Sequence, residues 1–173
     1  AKTAQWNGET DLDWSIEVDP EKWFAGGAVP DPRFGPEGSL ATRPGSPVRN
    51  WGDEEWSALA RESLTWRMSQ FMHGEQGALS LSASLCHILY DPAAQEYAAN
   101  QAREEARHVT GFGKYIETRW GRPLPVGEQL GLLLTELVHS QEVYKKLVGM
   151  QMLVEGLAMD RHLYLPTVDN TPP

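Results

Sequence analysis

Apolar residues recur every three or four positions along most of the chain after residue 52, and this spacing predicts amphipathic α-helices. The first predicted helix begins near Asp53, a suitable N-cap with Glu54 and Glu55 in its first turn, and ends near Tyr90. Glu75 falls on its apolar face, where a carboxylate is unexpected. The other residues of that face are Ala60, Leu64, Met68, Phe71, Met72, Ala78, Leu79, Ser82, Leu85, Cys86 and Leu89.

The second predicted helix runs from Pro92 to about Trp120. Asp91 followed by proline is typical of a helix start, and Gly121 and Pro123 are expected to stop the helix. Its inward face also carries polar residues, including a Glu and a His three positions apart. The face consists of Ala94, Ala98, Gln101, Glu105, His108, Phe112 and either Tyr115 or Ile116.

A third helical region is predicted from about Val126 to about Leu163, in one piece or in two, before a loop that begins at Leu165. Its apolar stripe again contains a carboxylate, Glu155. The stripe as predicted comprises Leu130, Leu134, Leu137, Gln141, Tyr144, Val148, Gln151 or Met152, Glu155 and Met159.

The start of the chain has neither a helical nor a strand period, and its prolines are too dense for a long helix. Trp6, Trp14 and Trp23 argue against disorder, because disordered segments are poor in aromatic residues. We therefore predict a Pro/Gly-rich extended arm over residues 1–52, which packs its tryptophans onto the helices or onto a partner subunit. Residues 53–173 would form a helical domain.

Composition narrows the range of partners. A length of 173 residues suits one domain with one substantial core. The net charge of −9 argues against nucleic acid or an anionic membrane as a partner. No apolar run approaches the roughly 18 residues of a membrane span. Cys86 is the only cysteine and has no internal disulfide partner, so we predict a reducing compartment, the cytoplasm.

Glutamates on apolar helix faces need compensation, because a lone buried carboxylate is strongly destabilising. Glu75, Glu105 and Glu155 each lie on such a face, and His108 follows Glu105 at the spacing that puts both on one side of a helix. Carboxylates and imidazole suit iron or manganese. A Glu from one helix and a Glu-x-x-His from another form half of the ligand pattern of di-iron helical bundles. We therefore predict metal ligands at Glu75, Glu105, His108 and Glu155.

Two alternatives compete with this assignment. Glu136 and His139 also form a Glu-x-x-His pair, although on a continuous helix they would lie roughly 100–160° round from Glu155. Glu75 could instead form a buried salt bridge with an arginine such as Arg107. Surface or supporting roles are predicted for Glu104, Glu142, His73, His87 and His162.

Three stretches resemble the metal-ligand helices of the ferritin-like superfamily of di-iron carboxylate proteins. They are 73–77 (HGEQG), 104–109 (EEARHV) and 152–158 (MLVEGLA). The likeness extends over about residues 53–165 and is to the oxidase and oxygenase branch. That branch includes ribonucleotide reductase small-subunit-like proteins, arylamine N-oxygenases and bacterial multicomponent monooxygenases.

The resemblance implies an all-α, ferritin-like helical bundle that binds two iron ions, with manganese as the alternative at one site. It implies a terminal or bridging role for Glu75, a bridging role for Glu105, terminal ligation by His108 and a carboxylate at Glu155 that shifts when oxygen binds. The expected activity is that of an oxidase or oxygenase. It would use dioxygen on a small organic substrate, with an electron-donor protein as a further partner.

The chain departs from the family pattern in one respect. The family has a second Glu-x-x-His on a fourth ligand helix, and that helix would fall beyond Pro173. Three explanations are open: a longer protein, a second subunit such as a homodimer partner that supplies the helix, or a degenerate site. The alternative functions are a ferroxidase or iron store, and a non-catalytic partner subunit. The proline-rich arm and the long spacing after His108 speak against storage.

Overall fold

The computed structural model describes residues 6–16, 44–154 and 156. Within these residues all regular structure is helical and no strand occurs, which confirms the all-α class. The ferritin-like bundle and its missing fourth helix stay predictions. No helix in this described part combines the length and apolar character that crossing a membrane requires.

The chain divides into two compact units, which in the described part are 6–16 with 65–154 and 156, and 44–64. In the second unit, Trp51 meets the buried Trp56 edge to face, with ring centroids 5.1 Å apart. The predicted boundary between arm and helical domain stays a prediction, and Trp23 lies outside the described residues.

Two long helices follow the predicted bounds closely. Helix α1 spans Asp53–Ile88 and helix α2 spans Pro92–Trp120. The Asp91 carboxylate accepts a hydrogen bond from the backbone N–H of Ala94 at 2.8 Å, which satisfies one of the free donors of the first turn of α2. Gly121 ends α2 with φ 88°, a conformation that favours glycine.

Helices α1 and α2 pack in antiparallel fashion within the first unit. Near the middle of α1, Phe71 contacts Phe112, with ring centroids 6.0 Å apart. Close to the connection, the Gln95 side chain donates a hydrogen bond to the Cys86 carbonyl at 3.2 Å. Later residues of α1 therefore meet earlier residues of α2, as a short connection requires.

Helix α3 spans Glu128–His139 and runs alongside α1 in the same direction. The Gly127 N–H donates to the Gln70 side chain at 2.6 Å, and Leu134 packs directly over Gly77. A short helix α4, Val143–Lys146, and a π-helix, Leu147–Val154, follow. The buried core of this unit consists of Ala78, Leu81, Leu85, Ala98, Leu134, Leu137 and Met150.

The predicted apolar stripe of the third helical region is wrong beyond Ser140. Tyr144, Val148 and Met152 are exposed, whereas Lys146 and Met150 are buried. The helix breaks at residues 140–142, and the next residues continue in a wider π-helical turn. Both features change which residues face the core, because a stripe extrapolated at the α-helical period assumes one uninterrupted helix.

Candidate metal site

Three of the four predicted metal ligands come together between α1 and α2. Glu75 lies on α1, while Glu105 and His108 lie one helical turn apart on α2. The antiparallel packing brings the two helices together at this level, and the three-residue spacing aligns the two α2 side chains. Glu105 is buried, and Glu75 and His108 are partly exposed.

The cluster is compact enough to hold one metal ion. His108 Nδ1 lies 3.1 Å from Glu75 Oε2 and 3.1 Å from Glu105 Oε2. One potential ligand atom from each of the three residues lies within 4.8 Å of the others. Two carboxylates and one imidazole are thus directed to one small volume. In the described residues no other group of His, Cys, Asp and Glu side chains meets this condition.

The proximity of these groups alters their proton affinities. Hydrogen bonds to Glu105 and then Glu75 raise the pKa of His108 to about 10. Burial raises the pKa of Glu75 above its ordinary value, against the opposing effect of His108. Burial is also the largest influence on Glu105, but its hydrogen bonds with His108, Glu75 and Gln101 together lower its pKa. The imidazole therefore holds a proton at neutral pH when no metal is bound.

Gln101 supports the buried carboxylate from one turn earlier on α2. Its amide Nε2 donates to Glu105 Oε1 at 3.4 Å, while the other oxygen, Oε2, faces His108. The Gln101 Oε1 atom is buried and has no hydrogen-bond partner within the described part of the chain. The sequence placed this residue on the inward face, but its contact with Glu105 was not predicted.

The salt-bridge alternative for Glu75 is wrong. Arg107 instead donates from Nη1 to both carboxylate oxygens of Glu104, each at 2.6 Å. No lysine or arginine ion pair to Glu75 or Glu105 occurs among the described residues. Among the described residues, His108 is therefore the only cationic partner of the two carboxylates.

The rival Glu-x-x-His pair is on the surface. Glu136 and His139 are both exposed on α3, and His139 Nδ1 contacts the carbonyl of Thr135 at 2.8 Å. The predicted surface salt bridge of Glu142 is present, with Lys145 at 2.5 Å. Glu155 and His162 lie outside the described residues, so ligation by Glu155 stays a prediction.

No protein-family model, curated protein or solved structure matches this chain. The likeness to the ferritin-like superfamily therefore stays a hypothesis that rests on the three motif stretches. Any functional conclusion depends on the cluster itself.

Proposed function

We propose that this chain binds iron through Glu75, Glu105 and His108, and that it belongs to a non-haem di-iron carboxylate oxidase or oxygenase. The observation that carries the proposal is the convergence of two carboxylates and an imidazole from two helices, with ligand atoms within 4.8 Å. Carboxylate and imidazole ligands together suit iron and manganese. Three ligands on two helices are half of the set that a di-iron bundle uses.

The residues of the cluster fit a cation. Two carboxylates that face one imidazole repel each other, and a divalent ion would offset that repulsion better than the single charge of His108. Glu105 would ligate through the oxygen that faces His108, because Gln101 engages its other oxygen. Glu155 is proposed as a fourth ligand on sequence grounds, and the second iron would need ligands from outside the described residues.

Ferrous iron, when bound, would supply the electrons and the open coordination position for the activation of dioxygen. Before binding, His108 must release the proton that its hydrogen bonds retain, and Glu75 must be ionised. Glu105, whose pKa is lowered, is ready to ligate without that step. The substrate is proposed to be a small organic molecule, with an electron-donor protein completing the cycle.

The first test measures iron per chain after anaerobic loading with Fe²⁺ and removal of unbound metal. We expect His108→Gln and Glu105→Gln to lose bound iron, because each removes a ligand from a three-ligand site. His139→Gln and Glu136→Gln are matched controls: they change the same residue types, at the same Glu-x-x-His spacing, on the exposed face of α3. Equal iron in wild type and His108→Gln would contradict the proposal.

The second test separates the three candidate functions. Iron-loaded protein is exposed to dioxygen with a chemical reductant and a panel of small organic substrates, and oxygen uptake is recorded. Sustained uptake that depends on substrate supports an oxidase or oxygenase. Uptake that scales with added Fe²⁺ and yields mineral would indicate iron storage. Bound iron without oxygen uptake would indicate a non-catalytic partner subunit.

A further inference from the structure

A tryptophan near the start of the sequence, Trp6, stacks on the imidazole of the cluster. Trp6 stacks on His108 with ring centroids 6.3 Å apart and ring planes 18° apart. The two residues are about one hundred positions apart in the sequence but belong to the same compact unit. Near-parallel stacking of this kind fixes the plane of the smaller ring as well as burying apolar area.

His108 has few other constraints on its ring. Nδ1 faces the two carboxylates, whereas Nε2 has no hydrogen-bond partner among the described residues, and the side chain is 41% exposed. Metal-binding histidines are usually oriented by a hydrogen bond from the second ring nitrogen. In this protein the face of the ring, rather than its second nitrogen, has an orienting contact, which is the stacked Trp6.

The segment that carries Trp6 is anchored on α2 immediately beyond His108. Gly8 is buried against Gly111: a Cβ atom at Gly8 would lie 3.5 Å from the Gly111 backbone and 3.2 Å from the Trp6 ring. One turn further along α2, Lys114 donates to the carbonyl of Glu9 at 3.3 Å. The segment therefore follows α2 along the same face as the metal cluster.

Internal hydrogen bonds hold this segment in shape. The Asn7 side chain accepts from the Glu9 N–H at 2.8 Å, and the Asn7 N–H donates to Asp11 at 2.7 Å. Trp14 folds back to donate to the Gly8 carbonyl at 3.0 Å, and its ring lies 5.5 Å from the Lys114 ammonium. A turn stabilised in this way presents Trp6 in one orientation.

We propose that Trp6 is a positioning residue that holds the His108 imidazole in the orientation in which Nδ1 faces Glu75 and Glu105. This inference rests on the proposed function only for its consequence, tighter metal binding. The stacking and its effect on the His108 ring exist in the protein without metal. Residues 6–16 are, on this view, part of the metal site.

The experiment measures the affinity for Co²⁺, an air-stable probe of carboxylate and imidazole sites, by competition titration of the full chain. Trp6→Leu removes the flat aromatic face and should weaken binding by about 10-fold, the lower end of the usual effect of losing an orienting partner. Trp6→Phe retains a flat ring and should restore affinity close to that of the wild type. Trp66→Leu is the matched control, because Trp66 is 52% exposed on α1.

Two results would overturn the inference. One is a Co²⁺ affinity of Trp6→Leu equal to that of the wild type. The other is a loss of affinity in Trp66→Leu as large as that in Trp6→Leu, which would indicate a general effect of tryptophan removal. Circular dichroism on each variant confirms that the helices remain folded.

A second readout uses protein without metal and separates this inference from the proposed function. The ring protons of His108 are identified in the nuclear magnetic resonance spectrum by their absence in His108→Gln. Stacking on Trp6 should shift them upfield in the wild type and in Trp6→Phe, but not in Trp6→Leu. If no Co²⁺ binds to the wild type, the proposed function fails, yet this shift still supports the positioning role. Identical shifts in wild type and Trp6→Leu overturn it.

Discussion

At the residue scale, the chemistry of the cluster depends on where its protons reside. His108 Nδ1 is shared between two carboxylates at equal distances of 3.1 Å, and no lysine or arginine of the described residues pairs with either carboxylate. The imidazolium is therefore the counter-ion of the metal-free site. A metal ion would have to replace the proton at Nδ1, so metal binding and proton release are coupled.

This coupling predicts that metal binding releases about one proton at neutral pH, because the pKa of His108 is about 10. Affinity for Co²⁺ should rise as pH increases from 6 to 9, since less work is needed to remove that proton. Calorimetric titration in two buffers with different ionisation enthalpies measures the number of protons released. Heats that do not depend on the buffer would show that His108 is already neutral.

The same shift predicts a pH-dependent contribution to stability in the metal-free protein. A histidine whose pKa in the folded protein lies above its ordinary value of 6.5 stabilises the fold fully at pH values below 6.5. This stabilisation is lost as the pH rises towards 10. His108→Gln should therefore lower the free energy of unfolding more at pH 6 than at pH 10. Partial exposure of the side chain limits the difference to about 1 kcal/mol. Urea unfolding of the wild type and of His108→Gln, in the presence of a chelator, measures this loss of stability at each pH. A loss that is larger at pH 10 than at pH 6 would contradict the assignment.

At the scale of helices, glycine allows α1 and α3 to approach closely beside the site. A Cβ atom at Gly77 would lie 2.5 Å from a methyl carbon of Leu134 and 3.1 Å from its Cγ, so Leu134 would have to move. Gly74, one turn earlier on α1, has open space where its Cβ would be. The two glycines therefore differ in whether a side chain would fit beside the site.

We therefore predict opposite effects of alanine at these two positions. Gly77→Ala should lower the free energy of unfolding by about 1–3 kcal/mol, because overpacking exceeds the gain in helix propensity. Gly74→Ala should raise the free energy of unfolding by up to about 1 kcal/mol, because alanine favours a helix more than glycine does and the added methyl group has open space there. Chemical denaturation of both variants tests the pair. Equal effects of the two substitutions would show that α3 does not press on Gly77.

Also at this scale, periodicity predicted α1 and α2 well but failed after Ser140. Leu64, Met72, Ala78 and Leu85 of the predicted α1 face are buried, as are Ala98 and Ile116 of the predicted α2 face. Spacing alone did not place Thr65, Ser69 and Leu81 on the α1 face, although all three are buried. Lys146 shows why the later region could not be predicted. It is buried because its ammonium donates to Ser84 at 2.8 Å and to the Val138 carbonyl at 2.6 Å, contacts that depend on the break in the helix. A hydrophobicity pattern treats lysine as exposed and cannot foresee such partners.

At the scale of the whole molecule, the cluster joins elements that are distant in sequence. Glu75 and the Glu105–His108 pair were predictable, because each lies on an apolar stripe and only one short connection separates their helices. The stack of Trp6 on His108 was not, since spacing carries no information about where a non-helical segment of the chain will dock. The sequence indicated that the tryptophans pack onto the helices, but it did not indicate which residue each would contact.

Because the proposed ligands come from both α1 and α2, metal binding should stabilise the packed helices against unfolding. An unfolded chain does not hold Glu75 near His108, so the ion binds the folded form selectively. Co²⁺ at about 100 times its dissociation constant should add about 2.7 kcal/mol to the free energy of unfolding. For a chain of this size that corresponds to a rise in melting temperature of roughly 5–10 °C. Thermal unfolding followed by circular dichroism, with and without Co²⁺, measures the rise. His108→Gln should abolish it and His139→Gln should retain it, since His139 is exposed on α3. An equal rise in wild type and His108→Gln would mean that Co²⁺ binds elsewhere.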